Sequence, residues 1–213
     1  MVPQPTYIYH ITHGANLPLI LRAGGLRTCR ALHDENVSYT DVAYQTLQDR
    51  RALVTVPCGA GGTLHDYVPF YFAPRSPMLY KISKRSEPQH HEGQTPIVHL
   101  VSTVEYIKRA GASFAFTDGH GIMAMTNFYD DTARLDQVAW DIMAAKYWND
   151  TVTDNDRCRK RQSEFLIYGF CRWDWIQAIG VINSTVKTKV ESLLENSGTT
   201  HKPLVTVKND WYY

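Results

Sequence analysis

A mixed α/β fold is the class this sequence predicts, on three observations. Short runs rich in aromatic and β-branched residues, as at 7–12, 96–102 and 113–117, alternate with stretches of helical period. Amphipathic stripes at 135–148 and 184–195 supply helices able to cover a sheet. The length, 213 residues, suits one domain with a sizeable core, or at most one with a small insertion, so residues 1–213 are read as a single domain.

The first strand, 7–12, is carried by Tyr7, Ile8, Tyr9 and Ile11, and His13-Gly14 ends it. Pro18 fits the first turn of a helix over 17–23, which stops at Gly24-Gly25. Residues 28–38 are polar and irregular, and 39–49 have helical character with Val42, Tyr44 and Leu47 as packing positions. Val54, Thr55 and Val56 are β-branched or strand-favouring, so 50–56 reads as a strand with Arg50 and Arg51 at its entrance. The glycine-containing loop 57–63 lacks the Gly-Lys-Ser/Thr ending of a phosphate-binding P-loop. Residues 66–80 are the densest aromatic stretch, and Pro69, Pro74 and Pro77 predict a strand turning sharply into a short helix.

Residues 84–95 form a polar loop, in which His90, His91 and Glu92 are adjacent and diverge too far to share a metal. A strand at 96–102, a helix at 103–110, a strand at 113–117 and a turn at Asp118-Gly119-His120-Gly121 follow. The strongest helical pattern is 135–148, with Leu135, Val138, Ala139, Ile142 and Met143 on one stripe. A polar tail over 149–162 leads to a buried strand at 164–168. An aromatic turn and strand (173–181), an amphipathic helix (184–195) and a last strand (204–207) complete the chain, which has no internal repeat.

Hydrophobic residues make up 44% and charged residues 20%, and no apolar run is long enough to span a bilayer. The first residues carry neither the basic start nor the apolar core of a secretory signal, so a cytoplasmic address is expected, with no membrane partner. Cys29, Cys58, Cys158 and Cys171 are scattered without a Cys-x-x-Cys pair, which predicts reduced thiols and no zinc site. A net charge of +1 argues against a surface that grips nucleic acid all over. It leaves room for local basic clusters, namely Arg22, Arg27 and Arg30; Arg50 and Arg51; and Arg157, Arg159, Lys160 and Arg161.

Within this frame Glu164 stands at the mouth of an apolar strand, Phe165-Leu166-Ile167, where a carboxylate costs free energy unless it is partnered. It reads either as the structural partner of Arg157, Arg159, Lys160 or Arg161, or as a catalytic carboxylate. His13, beside a glycine and a helix start, is a candidate contact for an anionic or ribose-bearing ligand, whereas His10 and His13 point to opposite faces and cannot chelate one metal. The rings of residues 66–80 beside Arg75 read as core or as a platform for nucleobases.

Several motifs, in order and spacing, resemble the DarT family: Tyr9-His10-Ile11-Thr12-His13 with Asn16-Leu17, Arg50-Arg51-Ala52, Pro69-Phe70-Tyr71-Phe72 with Arg75-Ser76-Pro77-Met78, Glu164-Phe165-Leu166, and Asn209-Asp210-Trp211-Tyr212. That family consists of bacterial toxins that transfer ADP-ribose from NAD onto a base of single-stranded DNA. The resemblance implies a mixed α+β, ADP-ribosyltransferase-like split β-sheet with flanking helices. It implies Arg51 and Glu164 as catalytic residues, and His13, Gly14 and Ala15 as NAD contacts, with Arg22, Arg30 and Arg51 also near the cofactor. Residues 35–53 would fold over the dinucleotide and 119–162 would present the substrate. NAD would be consumed as a substrate, without a metal, and the partners would be single-stranded DNA and a macrodomain antitoxin of the DarG kind.

The chemistry suits those residue types. Cleavage of the nicotinamide glycosidic bond builds positive charge on ribose, which a carboxylate such as Glu164 stabilises. The resemblance implies that the arginine also helps remove the base's proton; a guanidinium, with a pKa above about 12, is a poor free base, so Arg51 reads either as a stabiliser of the developing anionic base or as a shuttle for its proton while desolvated. Candidate contacts to the strand are Phe72, Arg75, Met78, Arg157 and Arg159, and thymidine is the expected acceptor. Two other readings stay open at this point: a transferase of the same fold acting on protein or RNA, and a non-catalytic nucleic-acid-binding module in which Glu164 pairs with Arg161.

Overall fold

The computed structural model describes residues 1–85 and 91–213, so His90 and the other central residues of the predicted polar loop lie outside the described residues. Its strands are β1 (Tyr7–His13), β2 (Gly25–Arg27), β3 (Tyr67–Tyr71), β4 (Ile97–Thr103), β5 (Phe114–Thr117), β6 (Phe128–Tyr129), β7 (Glu164–Tyr168), β8 (Phe170–Arg172), β9 (Ala178–Val181) and β10 (Leu204–Val207). Eight of them form one sheet in the order β10-β9-β4-β1-β3-β7-β5-β6, and β2 pairs with β8 in a small second sheet. The helices are α1 (Leu17–Ala23), α2 (Cys29–Asp34), α3 (Gln45–Leu53), α4 (Pro77–Ser83), α5 (Val104–Arg109), α6 (Trp140–Ala144), α7 (Arg157–Lys160) and α8 (Ser184–Asn196). This is the mixed α+β class expected from the sequence.

The pairing register explains where the sheet can open. β1 and β4 are paired from Tyr7↔Thr103 to His13↔Ile97, and β3 and β7 from Tyr67↔Tyr168 to Tyr71↔Glu164. Between these two halves the register holds a single pair, Tyr9↔Tyr71. Tyr71 therefore sits at the junction, with β1 on one side and Glu164 on the other. Alternation along β3 buries Val68 and Phe70 in the main core while Tyr67, Pro69 and Tyr71 line a cleft on the opposite face. Phe70 and its cross-strand neighbour Phe165 are both fully buried, each contributing about 1.5–3 kcal/mol of transfer free energy.

Several predicted elements are corrected, among them 39–49, whose helix starts only at Gln45. Residues 50–56 do not start a strand: Arg50, Arg51 and Leu53 end helix α3, and only the Val54-Thr55-Val56 that follow, all β-branched, are extended. The interior of 50–53 is composed of good helix formers, and the helix stops where β-branching begins. The stripe at 135–148 is real, with Leu135, Val138, Ile142 and Met143 all buried, but it is not one helix. It is divided at Val138-Ala139 between a 3-10 helix (Thr132–Gln137) and the short α6, and α6 ends at Ala144, where Arg161 takes the carbonyls of Ile142, Met143 and Ala145 that a longer helix would have used internally. The polar segment 28–38 also contains α2, started by Thr28, whose hydroxyl accepts the Ala31 N–H at 3.2 Å.

Candidate functional site

A cleft of about 710 Å³ lies over the β1–β3 junction, within the size range of small-molecule sites. Its walls come from β1, α1, the irregular segment 39–44, helix α3, β3 and the start of α4. Asn16 fastens the 39–44 wall to the sheet: its amide donates to the Thr40 carbonyl (2.9 Å), accepts the Thr40 N–H (2.8 Å) and donates to Thr12 Oγ1 (3.1 Å). Residues 39–51 thus contribute to the cleft wall that residues 35–53 were expected to supply.

At the cleft floor Arg51 meets Glu164. Both side chains are nearly enclosed, and Nη1 of Arg51 donates to Oε1 at 2.9 Å and to Oε2 at 3.1 Å. The pairing is one-sided, since Arg51 Nη2 is buried without a hydrogen-bond partner. A buried guanidinium nitrogen in this condition is a donor available to an incoming anion or carbonyl. Glu164 consequently pairs with Arg51 and not with Arg161, whose guanidinium donates to the carbonyls of Arg75, Ile142, Met143 and Ala145.

Glu164 is fixed by its backbone as well. Its N–H donates to Thr117 Oγ1 (2.9 Å), and the Thr117 hydroxyl donates to the Gly119 carbonyl (2.7 Å), which ties β7 to the turn after β5. A Cβ on Gly121 would lie 3.0 Å from Glu164 Oε2, so the turn passes close over the carboxylate. A Cβ on Gly119 would lie 2.1 Å from Arg159 Nη1, so glycine there lets Arg159 reach Asp118 (3.1 Å) and Thr126 (3.2 Å) beneath the turn. Between these glycines His120 lines the cleft, with its backbone N–H donating to the Arg159 carbonyl (3.1 Å) and its own carbonyl accepting from Thr126 Oγ1 (2.8 Å).

The electrostatics follow from burial. Desolvation, reinforced by the negative charge of Glu164, pushes the Tyr71 phenol above its ordinary range, so it stays a proton donor. Desolvation also lowers the pKa of His120, with the charges of Arg51 and Arg50 in the same direction and Glu164 opposing. His65, bonded to Gln48 Oε1 at 3.2 Å, is likewise lowered by burial and by Arg51 and Arg30.

The other sequence candidates are distributed unevenly. Met78 lines the cleft. His13, Gly14 and Ala15 sit beside the cleft residues Thr12 and Asn16: the His13 ring accepts the Ala15 N–H and meets Glu92, both at 3.2 Å, and Gly14 N–H donates to the Pro96 carbonyl at 2.8 Å. Arg30 is exposed and paired with Asp66 and Thr63, while Arg22 is exposed on the last turn of α1. Arg27, paired with Glu35, is the arginine of that cluster that lines the cleft.

Among the proposed strand contacts, Phe72 is a core residue. It is 5% exposed and packed edge-on against Phe116, Trp140 and Phe165, which leaves no ring face for a nucleobase. Arg159 is an internal brace, since both Asp156 oxygens, at 2.7 Å each, and Asp118 neutralise it. Arg157 donates to the carbonyls of Asn149 (3.0 Å) and Tyr147 (2.8 Å), and Arg75 lies 4.3 Å over the Tyr213 ring. Tyr71 and His120, both in the cleft, were missed by sequence reasoning. Strand alternation opposite Phe70 would have flagged Tyr71, and a histidine flanked by two glycines ahead of Glu164 was the available signal for His120.

All four cysteines are free thiols, and among the described residues no group of three or more His, Cys, Asp and Glu could hold a metal ion. Among the same residues no helix is long and apolar enough to cross a membrane.

The family model described as ssDNA thymidine ADP-ribosyltransferase, DarT, matches residues 9–213. A DNA ADP-ribosyl transferase of Thermus sp. strain 2.9 is 41% identical over 211 residues, covering 99% of this chain and 98% of the relative. Among solved structures, Thermus sp. 2.9 DarT in complex with ADP-ribosylated ssDNA superposes with a TM-score of 0.93 at 39% identity, covering 100% of this chain and 99% of that one. The Thermus sp. 2.9 DarT complex with NAD+ gives a TM-score of 0.86 at 38% identity, covering 100% of both chains.

Proposed function

The chain belongs to the DarT family of ssDNA thymidine ADP-ribosyltransferases, and from this premise we propose that Arg51 and Glu164 carry the transfer of ADP-ribose from NAD to a thymine of single-stranded DNA. The observation that carries this reading is the buried Arg51–Glu164 pair at the floor of the cleft, with Arg51 Nη2 left as an unmatched donor. Glu164 accepts from the ribose next to nicotinamide and offsets the positive charge that grows there as the glycosidic bond breaks. Arg51 orients that carboxylate through Nη1 and presents Nη2 to the thymine as it becomes anionic. Its part is to stabilise the base as it becomes anionic, or to shuttle the base's proton while desolvated.

NAD is bound in the cleft by the segment around His13, Gly14 and Ala15 and by the 39–51 wall, with Arg27 and Arg30 on the diphosphate side. Arg22, exposed on α1, has the weakest claim to that role. The test is to incubate the chain with NAD and oligonucleotides of defined base composition and weigh the products. Addition of one ADP-ribose to thymidine-containing single strands with release of nicotinamide is expected, and labelling confined to protein or RNA would overturn the acceptor assignment.

Arg75 and Met78 remain the proposed strand contacts near the cleft, with Arg157 beyond them. Arg75→Ala is expected to weaken single-strand binding and to flatten the plot of log affinity against log salt by about 0.7 for each phosphate that is no longer neutralised, while NAD affinity holds. Anisotropy titrations at several salt concentrations measure this, and an unchanged slope would assign Arg75 to packing against Tyr213 alone.

A base modification of this kind blocks replication, so a cognate macrodomain hydrolase that removes the mark is the proposed partner, and the cytoplasm the proposed site of action. Expression of the chain alone is expected to arrest bacterial growth, and the Glu164→Ala form is expected to permit it. Equal growth of the two strains would count against a toxin.

A further inference from the structure

The turn between β5 and β6 is gathered onto one side chain. Arg159, on α7, donates from Nη1 to Asp118 (3.1 Å) and to Thr126 Oγ1 (3.2 Å), at the two ends of the turn, while its Nε and Nη2 donate to Asp156 at 2.7 Å each. Its carbonyl accepts the His120 N–H at 3.1 Å, and Thr126 Oγ1 in turn donates to the His120 carbonyl at 2.8 Å. Asp118 also accepts the backbone N–H of Asn127 (3.0 Å) and its side-chain amide (2.8 Å), which closes the neck of the turn. Glycine at 119 is what admits the guanidinium, because a Cβ there would lie 2.1 Å from Nη1.

The residue that this assembly seats is Gly121. A Cβ on Gly121 would lie 3.0 Å from Glu164 Oε2 and 3.2 Å from Leu64 Cδ1, so its backbone fills the space between the carboxylate and that leucine. Ile122, the next residue, packs on the apolar cluster that contains Leu64, Tyr67 and Leu166. Glu164 is only 3% exposed under this cover. Water is the nucleophile that competes with thymine for the ADP-ribosyl group, and a wall closed over the carboxylate keeps it away from the reacting carbon.

Resting on the assignment of Arg51 and Glu164 above, we propose that Arg159 is a positioning residue that sets the fate of the ADP-ribosyl group. With the turn seated on Glu164 the group passes to thymine, and with the turn loosened it passes to water. In the second case an electron pair of the water oxygen forms the bond to the anomeric carbon. The bond from that carbon to nicotinamide breaks, its electron pair stays on the nicotinamide nitrogen, and one proton of the water goes to solvent. The products are nicotinamide and free ADP-ribose, from NAD and water alone. Arg159 acts at a distance from the chemistry, since Asp118 and Asp156 neutralise it and its side chain is 13% exposed.

The measurement is the ratio of free ADP-ribose to labelled thymidine oligonucleotide, with total nicotinamide release followed alongside, in Arg159→Met, Arg159→Lys and Gly119→Ala. Arg159→Met is expected to lower transfer to DNA by about 10–100-fold while nicotinamide release falls far less, so the ratio rises by about tenfold or more. Gly119→Ala leaves Arg159 in the chain but drives Nη1 away from the turn, so it should move the ratio in the same direction without removing the Asp156 partner. Arg159→Lys keeps the charge without the planar fork and should restore part of the preference for DNA. Transfer and nicotinamide release falling in step, or a ratio unchanged in either folded variant, Arg159→Met or Gly119→Ala, would make Arg159 a brace of the fold alone and overturn the proposal. If the ratio is unchanged and Glu164→Gln is inactive, this inference alone falls; if Glu164→Gln releases nicotinamide at the normal rate, the catalytic pair was misassigned and this inference falls with it.

Discussion

Glu164→Gln is expected to reduce transfer of ADP-ribose to single-stranded DNA by about 10³-fold or more while the protein stays folded. The substitution removes the negative charge that offsets the developing ribose cation, and it does so with almost no change of shape. Glutamine is the informative choice because of Arg51. The sequence suggests that trimming Glu164 to alanine relieves a desolvated carboxylate, but in the fold that carboxylate is the counter-ion of Arg51, a residue only 8% exposed. Removing one partner of a buried pair leaves the other uncompensated, at a cost that reaches about 3–5 kcal/mol when solvent cannot enter. A glutamine in its place would still present an amide oxygen to Arg51 Nη1, so the melting temperature of Glu164→Gln should lie close to that of the unaltered chain, with Glu164→Ala lower. Single-turnover assays with saturating NAD and oligonucleotide, paired with thermal melts, measure both effects. Turnover within about tenfold of normal in a folded Glu164→Gln protein would remove Glu164 from the chemistry.

The course of the chain explains why some of this was legible beforehand and some was not. β1, β3 with its turn into α4, β4, β7 and α8 were readable because their residues obey one rule each: aromatic and β-branched runs, proline punctuation, or a helical stripe. Glu164 was readable as a candidate for the same reason, as an acid at the mouth of an apolar strand, and the resemblance supplied its catalytic role. Its partner was not, because Arg51 comes from a helix 113 residues earlier, and the short polar segments before the strand offered four nearer cations. Local sequence ranks partners by proximity along the chain, whereas burial ranks them by the geometry of the whole sheet. Phe72 was misread by the same mechanism. Aromatic content pointed to a stacking surface, but the two-residue period that places Phe70 in the core places Phe72 there too, and hands the cleft to Pro69 and Tyr71. The broken stripe at 135–148 fails at a different level, since the pattern correctly names which side chains are buried and says nothing of an arginine further along the chain that takes the carbonyls where α6 ends.

That arginine leads to the largest stability effect expected of a single substitution. Arg161 is 3% exposed, and its guanidinium donates to the Arg75 carbonyl from Nε (3.1 Å) and Nη2 (3.0 Å), and from Nη1 to the carbonyls of Met143 (2.8 Å), Ala145 (3.2 Å) and Ile142. Burial lowers its pKa to about 10, which still leaves it charged at neutral pH, so these are charge-assisted bonds. Arg161→Met fills similar space but takes the donor away from four backbone carbonyls in a dry interior, each costing about 1–3 kcal/mol where nothing replaces it. Two of the four keep one other donor, since the Tyr213 hydroxyl reaches the Arg75 carbonyl (3.0 Å) and the Ala145 N–H that of Ile142 (3.3 Å). A loss of about 3–5 kcal/mol is therefore expected, or a fall in melting temperature of about 6–20 °C for a chain of this length. Arg161→Lys keeps the charge but offers a compact ammonium in place of a planar fork, so it should recover only part of the loss. The consequence reaches the cleft, because Arg161 joins the Arg75 turn and the end of α6 to the backbone just ahead of Glu164. Transfer assays well below the melting point should show reduced turnover in Arg161→Met, and the affinity for single-stranded DNA should fall with it as the Arg75 turn loosens. A melting temperature within about 2 °C of the unaltered chain would mean that water reaches these carbonyls and that Arg161 is not the pin between the sheet and the segment in front of the catalytic strand.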